Sequence, residues 1–354
     1  WIDMENSHKN FVLEVLDAHY KPEIAKKVFA TSFLIQYLDK KTRSVDRSSK
    51  SRASFANIYA IYVLLKDYLN VIAIKKKYVG YAGMRFSEAL KQVRMLPWGE
   101  KLQNHALNHR LNEEFRKFFG SHIKYTPVIR DLSTRHYWIN EKLLWIKING
   151  DEVNIADVII KIIDRYIALK QESYTHFIGI CKTLQKNFDS KKVFDFVNSI
   201  LSEDTDARLF EVVSYSILKE HNKDGGFHLY RTGRTNANDG GIDFVLKPEG
   251  RFFQVTEVFN FEKYFLDIEK LMHYPITFVI RTELSPKEST NRVEADAKNK
   301  YTKETLRIYL NCFEEIITLP VLRDYLREIN SKKGVRGLLN ELALQYQIEY
   351  NIKS

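Results

Sequence analysis

The chain has 354 residues, 44% hydrophobic and 28% charged, which suits a globular protein long enough for two compact domains. No stretch of about 18 uncharged apolar residues occurs and no basic segment leads into an apolar one, which argues against a membrane-spanning helix and a secretory signal. Residues 1–150 hold 26 Lys and Arg against 14 Asp and Glu, and the remainder holds 29 against 31, so the excess behind the net charge of +10 lies wholly in the N-terminal part.

Such a basic region favours a polyanion, nucleic acid or an acidic membrane, because displaced counterions drive binding; a plainly soluble basic domain is the alternative. Met4 reads as a start, with residues 1–3 an added remnant. Residues 5–38 and 54–72 carry helical periodicity, the second through Phe55, Ile58, Tyr59, Tyr62, Leu65 and Leu69. Between them Lys40 to Arg52 is basic, Ser-rich and without apolar period. It is expected to be an exposed loop, whose Lys41, Arg43 and Arg47 are candidate phosphate contacts or solubilising charges.

A helix is expected from about Glu100 to Phe119. Leu102, Ala106, Leu107 and Leu111 share one side, and Lys101, Asn104, His105, Asn108, His109 and Asn112 the other. Asn and His are poor choices for a merely solvated helix face, and amide side chains bond adenine in the major groove. Asn104, His105 and Asn108 are therefore candidate base readers. His105 and His109 lack a third metal ligand. Residues 138–200 read as further helices, with apolar runs at Val158–Ile167 and Tyr174–Leu184, so residues 1–195 are expected to be mainly helical.

After Leu201 a helix gives way to strand-like runs at Gly241–Leu246, Arg251–Val258 and Ile276–Arg281, and helical pattern returns from Ser289 to Leu310 and at the C-terminus. Residues 196–354 thus read as an α/β (α+β) domain. Cys181 and Cys312 have no CxxC or Cys/His companion; they read as buried thiols in a reducing cytoplasm.

The chemistry concentrates in residues 231–258. Lys247-Pro248-Glu249-Gly250 suits a type I turn closing a hairpin. If Lys247 pairs with Gly250, Asp243 faces Gln254 at about 5 Å, with Thr256 on the same face two residues on. A strand-borne carboxylate opposite a strand-borne amide suits a Mg²⁺ site; equally, it suits an Asp bonding backbone amides beside a cross-strand Gln. Upstream, Leu209 to Leu218 places Glu211 within a nearly continuous apolar stretch, where a carboxylate requires a cation or donor. Arg231 and Arg234 are candidate phosphate contacts from a polar loop, or surface salt-bridge partners. Tyr230 and the Phe252–Phe253 pair read as core, His228 has no support as a base, and no P-loop is present.

Asp239-Gly240-Gly241-Ile242-Asp243 followed by Phe253-Gln254-Val255-Thr256, with the preceding helical Glu211, resembles the Gly-Gly-Ile-Asp…Gln-x-Lys pattern of PD-(D/E)XK restriction endonucleases. The strings from Gly99 to Asn112 and from Arg231 to Gly241 resemble the HaeII family of type II enzymes. The resemblance implies a restriction-endonuclease-like core in residues 196–354 and a basic DNA-recognition region in residues 1–195. It further implies a sequence-specific double-stranded DNA endonuclease that uses Mg²⁺, leaves 5′-phosphate and 3′-hydroxyl ends, and acts as a homodimer on two-fold symmetric sites. Asp243 and Gln254, possibly with the Val255 carbonyl, would bind the ion, and Glu211 would join a second metal or orient water. The family's lysine position is occupied by Thr256, followed by Glu257. Lys263 or Lys270, the metal alone, or Glu257 swung inward by a β-bulge are the substitutes. A catalytically decayed DNA-binding protein and a structure-selective or RNA nuclease are the rival readings.

Overall fold

The computed structural model describes residues 11–42, 52–75, 81–102, 106–120, 123–203, 207–232, 242–350 and 352. The chain forms two compact units, residues 1–176 and 177–354. The division falls inside one helix, Ala156–Lys186, earlier than the boundary at residue 195 suggested by the change in sequence texture.

The first unit begins with α1 (Phe11–His19), α2 (Pro22–Thr31), α3 (Phe33–Thr42) and α4 (Arg52–Lys75). Pro22 lies in the first turn of α2, where its missing N–H leaves no bond unmade. In α4 the consecutive residues Ile58, Tyr59, Ala60 and Ile61 are all fully buried, so this helix is enclosed on every side and forms the centre of the core. The chain continues through β1 (Met84–Arg85), α5 (Phe86–Met95), a 3₁₀ turn at Gly99–Lys101, a π-helical turn at Ala106–Arg110 and α6 (Leu111–Phe119). The expected single helix over residues 100–119 is therefore a succession of shorter helical pieces.

Residues 138–154 depart from the helical expectation more sharply. β2 (Val128–Asp131) and β3 (His136–Ile139) pair antiparallel and, with β1, form a three-stranded sheet in the order β1-β3-β2. β4 (Trp145–Ile148) and β5 (Asp151–Asn154) form a separate hairpin. Its two loop residues, Asn149 and Gly150, have φ of 56° and 96°, the twist that a two-residue hairpin loop requires. The unit then enters α7 (Ala156–Lys186).

The second unit is mixed α/β. Helices α8 (Ser190–Ser202) and α9 (Ala207–His221) precede β6 (His228–Arg231), β7 (Phe244–Lys247) and β8 (Arg251–Thr256). There follow α10 (Phe261–Lys270), β9 (Ile276–Ile280), α11 (Pro286–Ala297), α12 (Lys303–Leu310), β10 (Phe313–Ile317), α13 (Leu319–Ser331) and α14 (Val335–Tyr350). One five-stranded sheet has the order β10-β9-β8-β7-β6, antiparallel from β6 to β8 and parallel from β8 to β10. Strands β7, β8 and β9 lie where the sequence placed them, whereas β6 and β10 were not anticipated.

Alternation along β8 sorts its side chains between two layers. Phe253 pairs with Phe244, whose ring lies 5.2 Å from that of Tyr215 on α9. Gln254 and Thr256 pair with Phe278 and Ile280, which pack in a cluster with Tyr264, Phe265 and Ile268 of α10. The predicted site residues of β8 thus lie on the α10 side of the sheet.

Among the described residues no helix is long and apolar enough to cross a membrane. Cys181 and Cys312 are both buried free thiols, and burial pushes the Cys181 thiol up to about 12. At pH 8 Cys181 is accordingly protonated and shielded, and the thiolate is the reactive species. Neither cysteine of the native protein is expected to react with an aromatic disulfide reagent within minutes at pH 8. Both should react after denaturation, and rapid labelling of the native chain would contradict this burial.

Candidate functional site

The site is built on the β7–β8 hairpin. Phe244 pairs with Phe253, Val245 with Phe252 and Leu246 with Arg251, the register expected from the sequence. The turn itself differs from the expected two-residue type I form. The Gly250 N–H donates to the Leu246 carbonyl at 2.9 Å, Gly250 takes φ of 72°, and the Lys247–Pro248 peptide is cis. A left-handed glycine closing a three-residue loop leaves the pairing of the strands unchanged.

Just beyond the ladder the strands are joined through Asp243. Its backbone N–H donates to the Phe253 carbonyl at 2.9 Å, and its Oδ2 accepts the Val255 N–H at 2.8 Å. One carboxylate oxygen therefore does what a turn-proximal Asp does structurally. Its neighbour on β8 is less satisfied. Gln254 is 9% exposed and its Nε2 makes only a long 3.4 Å contact to the Val255 carbonyl. Its Oε1 is buried with no hydrogen-bond partner among the described residues. An orphaned buried acceptor costs about 1–3 kcal/mol, so a donor or cation at this oxygen would be stabilising.

Thr256, 3% exposed, donates from Oγ1 to the Val258 carbonyl at 3.2 Å and accepts from Lys263 Nζ, also at 3.2 Å. Lys263 reaches this point because Asn260 caps α10, its Oδ1 accepting the backbone N–H groups of Glu262 and Lys263. The other substitutes considered for the lysine position are engaged elsewhere. Lys270 pairs with Asp267 at 2.8 Å, and Glu257 pairs with Arg281 at 2.8 Å.

Glu211 occupies a different environment. It is 6% exposed on α9, and its Oε1 accepts from Arg231 at 2.8 Å. Arg231 also bonds Glu349 at 3.0 Å and Gln345 at 3.1 Å, and Arg208 bonds Glu349 at 2.7 Å. The cation required by Glu211 is thus supplied by Arg231, two arginines facing two carboxylates. Of the two readings of Arg231, phosphate contact and salt-bridge partner, the structure shows the salt bridges, with Nη1 and Nη2 directed to Gln345, Glu211 and Glu349. It also removes the need for a second metal at Glu211. The network reaches the hairpin through Thr232, next to Arg231, which donates its N–H to the Asp243 carbonyl at 3.0 Å and its hydroxyl to the same carbonyl at 3.2 Å. Glu349, Arg208 and Gln345 were not read from the sequence. A signal existed, because Leu342, Tyr346 and Glu349 fall on one buried stripe of α14, where a carboxylate requires a partner.

Several predicted DNA contacts change character. Lys41 is 5% exposed and ion-paired with Glu114, which also accepts from Asn57 at 2.8 Å; its charge is spent inside the first unit. Arg43, Arg47, Asn104, His105 and Arg234 lie outside the described residues. Asn108 lies in the π-helical turn, and its side chain is outside the described set. Asn112, placed on the same polar face, accepts the Val128 N–H at 3.0 Å and donates to the Val128 carbonyl at 2.7 Å, tying α6 to β2. Asn112→Ala is expected to lower stability by about 1–3 kcal/mol in urea unfolding while duplex-DNA affinity stays unchanged. A loss of affinity without a loss of stability would instead make Asn112 a DNA contact. Tyr230, expected in the core, is 51% exposed, with the Lys247 ammonium 5.5 Å from its ring centre; Phe253 is buried as expected.

No group of three or more His, Cys, Asp or Glu side chains suited to a metal converges among the described residues. A glutamine oxygen is also a ligand for hard cations, and Mg²⁺ characteristically takes one or two carboxylates and fills its remaining positions with water and phosphate oxygens. Asp243 and the orphaned Gln254 Oε1 are hard oxygen donors of the type that fits such an ion. Comparisons with protein-family models, curated proteins and solved structures find no match.

Proposed function

We propose that this protein is a Mg²⁺-dependent endonuclease that hydrolyses phosphodiester bonds of double-stranded DNA, of the type II restriction class. The observation that carries the reading is the buried, unpartnered amide oxygen of Gln254 on the strand paired with that of Asp243. Support also comes from the order of elements: a helix with Glu211, a strand that Asp243 directly precedes, and a paired strand with Gln254 and Thr256. That order matches the layout implied by the resemblance to PD-(D/E)XK nucleases. The surplus of 26 basic over 14 acidic residues in the first 150 suits a polyanionic partner.

In this reading Asp243 and Gln254 hold the ion. When bound, Mg²⁺ supplies charge neutralisation at the phosphate and an acidified water. Asp243 contributes negative charge and keeps its Oδ2 oriented through the Val255 N–H. Gln254 contributes a neutral oxygen from a buried position, where its rotamer freedom is small. The Arg231–Glu211 pair braces α9 against β6 behind the site. The products are 5′-phosphate and 3′-hydroxyl ends, and a homodimer cutting two-fold symmetric sites is the simplest assembly. Two buried free thiols suit a cytoplasmic location.

Thr256 at the position of the family's lysine, together with the self-neutralised Glu211, favours a second reading, a DNA-binding protein on a decayed nuclease fold. Incubating unmethylated plasmid and phage DNA with the purified protein, in Mg²⁺ and in EDTA, separates the two. Discrete bands in Mg²⁺ alone support the restriction reading, and a smear retains the nuclease but not its specificity. Intact DNA with gel-shift binding favours the second reading.

A further inference from the structure

We propose that Lys263, carried on the first turn of α10, is a catalytic residue that contacts the reacting phosphate and stabilises the negative charge developing there; this rests on the nuclease reading above. The argument begins with the charges around the hairpin. Of the described cations on neighbouring elements, Arg231 is held by Glu211 and Glu349, Arg281 by Glu257, Lys270 by Asp267, and Arg251 by Glu314 and Glu315, while Lys247, at the turn end of β7, lies 5.5 Å from the centre of the Tyr230 ring. Lys263 differs from all of them. Its Nζ donates to Thr256 Oγ1 at 3.2 Å, and among the described residues it forms no ion pair.

An ammonium has three donors, and the Thr256 hydroxyl takes one, which leaves two for an anion at the same place. Thr256 is itself fastened: it is 3% exposed and its hydroxyl donates to the Val258 carbonyl. The hydroxyl therefore presents a lone pair to Lys263 in a fixed direction, and the ammonium is oriented before any ligand arrives. On the same face of β8, two residues back, lies the orphaned oxygen of Gln254. A cation held at Thr256 and an unsatisfied oxygen at Gln254, two residues back on the same strand face, are complementary to a phosphate carrying a divalent ion. The Lys263 residue itself is exposed on α10, so substitution there leaves the core untouched. The cap at Asn260 starts α10 at this point, and the Tyr264 hydroxyl, donating to the Val258 carbonyl at 3.1 Å, ties the first turn of the helix to the segment that follows β8.

The test uses Lys263→Cys in the full chain, assayed by single-turnover cleavage of a plasmid, with duplex affinity measured separately in Ca²⁺. The variant is expected to cleave about a hundredfold more slowly while its affinity falls less than about tenfold. Alkylating the new thiol with 2-bromoethylamine, which displaces bromide and installs an ammonium at nearly the lysine's reach, is expected to recover at least about tenfold of the rate. The two native cysteines are buried, so the wild-type protein given the same treatment serves as the control. Loss followed by recovery supports the proposal. A Lys263→Cys variant within about threefold of wild type, while Asp243→Ala is inactive, overturns it and leaves the nuclease reading standing. Loss without recovery, or loss matched by an equal fall in affinity, overturns it as well. Absence of cleavage by the unmodified protein overturns it together with that reading.

Discussion

Asp243→Asn is expected to abolish Mg²⁺-dependent DNA cleavage, slowing it by about a thousandfold, while leaving the fold and duplex affinity intact. The substituted amide keeps an oxygen able to accept the Val255 N–H, which Asp243 Oδ2 now takes at 2.8 Å, so the β7–β8 junction is preserved. What is lost is the negative charge. The variant therefore separates the two readings of this position. An Asp whose only task is to accept a backbone N–H tolerates the change, and cleavage near the wild-type rate would mean that its role is structural. Single-turnover rates, with melting temperature and gel-shift affinity measured in parallel, decide between them.

A large effect on stability is expected at the other face of the sheet. Glu349 has a side chain only 2% exposed and is bonded to both Arg208 and Arg231, whose side chains are 18% and 15% exposed. Glu349→Leu takes from two largely buried guanidinium groups the carboxylate that bonds them both, and a loss of about 3 kcal/mol is expected in urea unfolding. Replacing Arg208 by Leu as well should recover part of that loss, because it removes one of the two guanidinium groups that Glu349 had paired, at 2.7 Å. A single variant within about 0.5 kcal/mol of wild type would show that the network contributes little.

The parts of this structure that were legible in the sequence are those governed by short-range rules. Pro248 and Gly250 locate the turn, and a two-residue period then sets the ladder up to Phe244–Phe253, with Asp243 and Gln254 just beyond it, with no knowledge of the rest of the sheet. The need of Glu211 for a cation is equally local, since it follows from the apolar residues on either side. The identity of that cation is not local. Arg231 meets Glu211 only because β6 is the strand at the sheet's edge beside β7, and Glu349 joins them from the last helix; sheet order and helix docking are long-range facts. Lys263 stands between these cases. It was one of several substitutes by proximity in sequence, and its place in the capped first turn of the helix distinguishes it from Lys270, about two turns further along and paired with Asp267.

The β4–β5 hairpin is a miss of another kind, because its signal was present. Ile146 and Ile148 alternate with polar residues, and Asn149-Gly150 is a strong two-residue hairpin sequence. The apolar run beginning at Val158 drew the helical assignment too far towards the N-terminus. Asn112 illustrates the limit of arguing function from a helix face. An amide unsuited to solvent can have a backbone partner rather than a base, and here the partner is Val128 on a strand that the sequence did not reveal.

Affinity cleavage of the polypeptide tests most directly whether the β7–β8 hairpin is the seat of the metal chemistry. Fe²⁺ replaces Mg²⁺ in oxygen-ligand sites, and with ascorbate and peroxide it breaks the main chain beside the place where it binds; mass spectrometry then locates the breaks. Cuts are expected next to Asp243 and within Gln254–Thr256, suppressed by excess Mg²⁺ and absent in Asp243→Asn. Cuts confined to other parts of the chain, or a pattern unchanged by that substitution, would contradict the assignment of the site.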